Sequence, residues 1–183
     1  MEKYDERKIM SLLSNPVTRR QAFGMVVNQY GEQLYWQVRR IVLSHDDAND
    51  VMQNVFVKAW SNIETFRNDA KLSTWLYRIA VNESLDFMRR RKNAPTVSAD
   101  DADTGVANAL LADKYFDGDE TEAQLQQAIS RLPEVQRMVF NMRYYDEMKY
   151  SDMSKVLGTS VGALKASYHI AVKKISDYFK SLD

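Results

Sequence analysis

The sequence predicts an all-helical protein of two small domains joined by an acidic linker, and three observations predict it. Only 6 Gly and 3 Pro interrupt 183 residues, too few to punctuate a fold of strands and hairpins. The apolar residues recur at steps of three and four rather than alternating. The formal charge is zero, with 25 basic and 25 acidic side chains, yet it is segregated. Residues 1–92 carry 15 basic and 11 acidic groups, 93–122 carry 1 and 8, and 123–183 carry 9 and 6. Two mildly basic blocks therefore flank an acidic stretch, an asymmetry that bears on partners rather than on fold.

Residues 1–17 read as an N-terminal segment and 18–92 as the first helical domain. Phe23, Met25, Val26, Val27, Tyr30, Leu34, Trp36, Val38, Ile41 and Val42 predict one or two helices there. In SHDDANDVMQNVFVKAWSNI, the residues Ala48, Val51, Met52, Val55, Phe56, Ala59 and Trp60 form the apolar stripe of an amphipathic helix. Ser44 with Asp47 makes a capping box, and Asp46, Asp47 and Asp50 lie where the helix dipole is positive. A loop carrying Phe66, Arg67, Asn68, Asp69 and Lys71 follows. LSTWLYRIAVNESLDFMRRRK then reads as a long helix with Leu72, Leu76, Ile79, Ala80, Leu85 and Met88 turned inward. Arg89, Arg90, Arg91 and Lys92 crowd its C-terminal end, where cations suit the dipole.

Residues 93–119 have the composition of a linker, rich in Asp with little apolar periodicity. Leu110, Leu111, Tyr115 and Phe116 either form a short amphipathic turn that docks or belong to a disordered tether. Residues 120–183 make the second domain. Pro133 suits the first turn of a helix, and Val135, Met138, Val139 and Met142 supply its inner face. YSDMSKVLGTSVGALKASYHIAVKKISDYF has the layout of a helix-turn-helix. Met153, Val156 and Leu157 bury the first helix, Gly158 turns the chain, and Ser160 caps the second. Val161, Leu164, Tyr168 and Ile175 hold that second helix down and leave Gly162, Ala163, Lys165, Ala166 and His169 facing outward, toward a major groove.

Several classes of function are disfavoured. Without cysteine there is no disulfide, thiol nucleophile or zinc thiolate site. The opening MEKYDERKIM is charged, and no later run approaches the roughly 18 apolar residues of a spanning helix; a cytoplasmic protein with no membrane insertion is expected. The two histidines, His45 and His169, fall in different domains. His45, Asp46 and Asp50 imitate a metal site, but the helix dipole explains the acids. There is no phosphate-cradling Gly loop and no Gly-x-Ser-x-Gly elbow. The expectation is a protein that is not an enzyme and has no metal, cofactor or small-molecule substrate.

Taken in order, DANDVMQNVFVKAW, FRNDAKLSTWLYRIAVNESLDFMRRR and LPEVQRMVFNMRYYDEMKYSDMSKVLGTSVGALKASYHIAVKKI resemble the sigma-70 family, specifically its extracytoplasmic-function group. The resemblance implies a region 2-like bundle, an acidic linker and a region 4-like helix-turn-helix. It implies a factor that binds bacterial RNA polymerase core and directs it to promoter DNA. Asp50, Gln53 and Asn54 would then contact the polymerase, or else merely solvate their helix. Phe66, Asn68, Lys71, Trp75, Arg78 and Asn82 would meet the minus-ten element. Separating strands costs stacking energy, which is recovered when unpaired bases lie on aromatic surfaces while cations hold phosphates. Phe66, Trp75 and Tyr77 among Arg67, Lys71 and Arg78 offer both ingredients, although Trp75 at helical spacing with Ile79 also reads as core. Arg143, Ser160, Gly162, Ala163, Lys165, Ala166, Ser167, His169 and Lys173 would serve the minus-35 element.

The sequence departs from the family where Ala163-Leu164-Lys165-Ala166 and apolar Ile170 replace more basic residues, so readout leans on shape and phosphates. The resemblance further implies an anti-sigma partner and a linker that runs through the polymerase. A stand-alone helix-turn-helix regulator with an N-terminal sensing or dimerisation domain is the alternative.

Overall fold

In the computed structural model, residues 5–66, 71–92 and 118–182 are described, apart from the side chain of Lys92. They divide into two compact units, Met1–Arg90 and Arg91–Asp183. Every regular element among the described residues is helical.

The first unit is built on α1 (Glu6–Ser14), α2 (Arg19–Val42), α3 (His45–Asn62), a 3-10 turn (Ile63–Thr65) and α4 (Leu72–Lys92). The upstream apolar run is thus one helix of 24 residues rather than two. It packs against α1 on one side and α3 on another. Ala22, Val26, Leu34, Val38, Ile41 and Val42 of α2 are buried with Ala48, Val51, Val55 and Ala59 of α3 and with Leu72, Leu76, Ala80 and Val81 of α4. Local chemistry sets the boundaries. Ser44 Oγ accepts the Asp47 amide at 3.4 Å, the expected cap. Leu43 ends α2 in the left-handed region (φ 66°), with its amide returned to the Arg39 carbonyl. The N-terminal segment contains α1, which periodicity did not single out. Asp5 caps it by accepting the Arg7 amide at 3.0 Å, and Ile9 and Leu13 are buried.

Of the residues read as inward in this unit, one is corrected and three are only partly covered. Trp60 is 42% exposed, resting edge-on against Phe23 at 5.1 Å between centroids. Ile79, Leu85 and Met88 are only half-buried.

The second unit comprises α5 (Glu120–Ser130), α6 (Glu134–Tyr144), α7 (Tyr150–Leu157) and α8 (Val161–Lys180). Asp119 caps α5 through the Glu122 amide at 2.9 Å. Pro133 is the N-cap of α6, one residue before its first turn. Helix α8 runs across α5, α6 and α7, over a core of Ala128, Ile129, Leu132, Phe140, Ala171 and Ile175. Between α7 and α8, Gly158 takes φ 64° and returns its amide to the Ser154 carbonyl at 2.9 Å. An L side chain there is strained, and glycine is not. Val135 and Val161, both expected inside, are exposed. Each lies in the first turn of its helix, where the neighbouring helices do not reach across to cover it.

Candidate functional site

The predicted contact residues fall on three solvent-facing surfaces, two in the first unit and one in the second. On α3, Asp50, Gln53 and Asn54 are exposed at spacings that place them on one face of a helix, opposite buried Val51, Met52, Val55 and Ala59. The same face continues to Val57, 66% exposed, and beyond it lies Trp60. Sequence reading missed Val57, although its place one turn beyond Gln53 was the available signal. His45 sits at the head of this helix, with Nδ1 2.6 Å from the Tyr35 hydroxyl and Nε2 3.0 Å from the Asn49 amide nitrogen. Both ring nitrogens are occupied. Among the described residues no group of three His, Asp or Glu side chains is placed to hold a metal ion.

The second surface begins at Phe66 and runs along α4. The Phe66 and Trp75 rings lie 5.2 Å apart, tilted by 43°, and both are half-buried. Lys71, Arg78 and Asn82 are exposed, and the steps of four, three and four from Lys71 through Trp75 set all four on one stripe. Asn68 lies outside the described residues. Tyr77 does not join the pair of rings: it is buried, and its hydroxyl accepts the Gln33 amide at 2.8 Å. The aromatic surface on this side is therefore Phe66 with Trp75. Farther along, Arg89 pairs with Asp86 at 3.0 Å, and Arg90 Nε donates to the Asp86 carbonyl at 3.3 Å, so this part of the basic helix end is spent partly on the helix itself. An open cleft of about 790 Å³ adjoins Phe66 and Lys71 and is walled on its other side by Asp5, Glu6, Arg7, Met10, Ser11 and Ser14 of the α1 region.

The third surface is α8. Ser160 Oγ accepts the Ala163 amide at 3.3 Å, starting the helix where the turn delivers it. Leu164, Ala171 and Ile175 are buried, while Gly162, Ala163, Lys165, Ala166, His169 and Lys173 are exposed and Ser167 is half-buried. Ile170 is also exposed, adding a methyl-bearing group beside Ala163 and Ala166. Tyr150, from the first residue of α7, supports this face. The Arg143 guanidinium lies 5.4 Å and the Lys165 ammonium 5.9 Å from its ring centroid, within cation–π range. Arg143 also donates to the Met148 carbonyl at 3.2 Å. It thereby fastens the α6–α7 connection as well as lining the surface. Behind it, Phe140 stacks on both Tyr144 and Tyr168. Burial raises the Tyr168 hydroxyl above its ordinary pKa, with the Tyr150 hydroxyl adding to the rise.

Comparison with known proteins assigns the two helical units to two regions of one family. The model of Sigma-70 region 2 matches residues 26–94, and that of Sigma-70, region 4, matches 122–175. The chain is 31% identical over 156 residues to the ECF RNA polymerase sigma factor SigW of Bacillus subtilis, covering 81% of this chain and 83% of that relative. It is 31% identical to the RNA polymerase sigma-H factor of Pseudomonas aeruginosa, covering 80% of each. In fold it is similar to CnrH, solved in complex with the cytosolic domain of CnrY, with TM-score 0.71 and 23% identity over 96% of this chain and 97% of that one. It is similar also to the sigma factor RpoE of Bartonella quintana, solved with the anti-sigma factor NepR, with TM-score 0.72 and 20% identity over 86% and 96%. With both region models matched in order and a relative above 30% identity across four-fifths of its length, the chain belongs to the extracytoplasmic-function group of the sigma-70 family.

Proposed function

We propose that the three surfaces divide the work of promoter selection. As a member of its family the chain is a transcription initiation factor: it binds RNA polymerase core and brings it to promoters. On our reading residues 18–92 act as the region 2 domain and 120–183 as the region 4 domain, with 93–119 as the connecting linker. The α3 face of Asp50, Gln53, Asn54 and Val57 docks on the core polymerase. Phe66 and Trp75 offer a stacking platform for unpaired minus-ten bases while Lys71 and Arg78 hold the backbone and Asn82 hydrogen-bonds nearby. The outward face of α8 enters the major groove at the minus-35 element. The observation that carries the reading is the Phe66–Trp75 ring pair, exposed in part and continuous with a polar and cationic stripe. A ring pair of that kind suits the faces of flipped or single-stranded bases.

The linker reading, and the apolar turn at Leu110, Leu111, Tyr115 and Phe116, concern residues largely outside the described ones. Transcription places the protein in the cytoplasm, and no helix among the described residues is long and apolar enough to cross a membrane. An anti-sigma factor is a fitting antagonist, since two similar folds were solved with such a factor or a cytosolic domain bound. The exposed α3 face is the surface it would cover.

The test mixes the purified chain with bacterial core polymerase, selects transcribed promoters, and compares footprints with and without core. Each small, near-neutral unit releases few counterions, so binding alone is weak; held by core, both units act at high effective concentration. Protection that appears only with core supports the reading. Specific protection by the chain alone would favour a stand-alone regulator instead.

A further inference from the structure

The outward face of α8 is chemically split along its length. At about 100° per residue, Ala163, Ala166 and Ile170 fall within about 60° of one another, and all are exposed. Lys165 lies on the other edge of the face, its ammonium 5.9 Å from the Tyr150 ring centroid and beside Arg143. Exposed His169 and Lys173 run down the middle. The alanines by themselves only let a helix approach closely. The informative group is Ile170, a branched aliphatic side chain 44% exposed on a face that otherwise carries cations.

The side chains of Ala163, Ala166 and Ile170 carry no hydrogen-bond donor or acceptor, so they cannot pair with base edges or phosphates. In the major groove the base pairs offer one apolar group, the C5-methyl of thymine. Set over guanine or cytosine, the same side chains would cover polar groups without replacing the hydrogen bonds of the displaced water, which costs free energy. We infer that this edge of α8 reads thymine methyl groups in the minus-35 duplex, with Ile170 as the specificity-determining side chain. The inference rests on the reading of α8 as the groove-entering helix. Ala163 and Ala166, ending at Cβ, bring the backbone close to the bases. Ile170 lies about 10 Å along the axis from Ala163, so the edge spans about three base-pair steps. The cations of the opposite edge suit phosphates, which position the protein without carrying sequence.

The experiment uses the full chain bound to core polymerase on a selected promoter. Each thymine of the minus-35 element is replaced singly by deoxyuridine, which keeps the hydrogen-bonding edge and removes only the methyl group, and promoter affinity is measured. At the position under Ile170, uracil weakens binding by about fourfold, the scale of one buried methyl group. Ile170→Ala binds the thymine promoter about fourfold more weakly as well and no longer distinguishes thymine from uracil; Ile170→Val, which keeps a branched aliphatic group, retains part of the preference. The coupling between the two changes reads the contact, because either alone also alters groove shape or helix surface. Ile170 is exposed and alanine favours helix, so the dichroism transition of Ile170→Ala stays in place. Indifference of the native chain to uracil at every position overturns the inference, as does a protected element without thymine. Sensitivity to uracil that Ile170→Ala keeps in full acts through DNA shape and also overturns it. In each of these cases, weaker binding to a scrambled minus-35 element leaves the α8 reading standing; when scrambling changes nothing, that reading falls too. Loss of core affinity in Ile170→Ala makes the edge a protein contact and overturns the inference.

Discussion

Leu164 and Lys165 are adjacent in the chain and sit on different faces of α8, about 100° apart: the leucine is fully buried and the lysine exposed. Leu164→Ala removes buried methyl groups and leaves a cavity, costing about 2–5 kcal/mol. For a unit of this size each kcal/mol moves the midpoint by about 4–8 °C, so the second unit melts about 8–40 °C earlier. Lys165→Ala leaves stability within about 0.5 kcal/mol. It removes one cation from the groove-facing stripe, which lowers the slope of log affinity against log salt for minus-35 duplex by about 0.9 if the lysine meets a phosphate. The assay has an internal control, because Trp36, Trp60 and Trp75 are the chain's 3 tryptophans and all lie in the first unit. Tryptophan fluorescence follows that unit alone, and far-ultraviolet circular dichroism follows both. Leu164→Ala shifts the dichroism transition and spares the fluorescence one; Lys165→Ala spares both and changes only the salt dependence of DNA binding by the polymerase complex. A Lys165→Ala chain that melts early, or a Leu164→Ala chain that melts normally, refutes the assignment of the two faces. An unchanged salt slope refutes the phosphate contact.

Other outcomes are expected on the same physical grounds. Asp50→Arg weakens core binding by about tenfold, the scale of a lost interface contact of about 1.4 kcal/mol, and lowers stability by no more than about 1 kcal/mol from the reversed charge near the helix N-terminus; equal core affinity in a titration counts against the α3 surface. Gly158→Ala puts an L side chain at φ 64° and lowers second-unit stability by about 1–2 kcal/mol, visible as an earlier dichroism transition; an unshifted midpoint contradicts the turn geometry. The first unit also loses stability at alkaline pH. Burial, with the Glu6 carboxylate adding to it, raises the Tyr30 hydroxyl, and the hydrogen bond to Glu83 raises the Lys58 ammonium. Both groups hold their protons more tightly folded than unfolded, so their contribution is complete below about pH 10 and disappears as pH rises through the folded values. Urea unfolding followed by tryptophan fluorescence, compared at pH 9 and pH 11, reads this directly; equal midpoints refute it.

Several helix starts and stops were legible because their chemistry is local, although α1 and its Asp5 cap were not. Ser44 and Ser160 each accept an amide within a few residues and Gly158 returns its own amide to the Ser154 carbonyl, and spacing alone placed Lys165 and Leu164 on different faces. The ordered motifs carried the family, which the two matched region models and the relatives then showed. Residues whose state depends on a distant neighbour were not legible. Trp60 and Val135 lie at apolar positions of helical stripes yet reach solvent, while Tyr77, read among base-capturing rings, is sealed inside with Gln33 at its hydroxyl.

By itself the amino-acid order determined the helical period, the caps, the charge segregation and the lineage, since each is written in residues close together or in motifs taken in sequence. Only the tertiary structure decided which stripes are covered, and only it brought Glu6 to the amide of Leu72 and Arg19 to Glu64. Periodicity names a face of a helix. Whether another element covers that face depends on packing between segments dozens of residues apart, and no local pattern contains it.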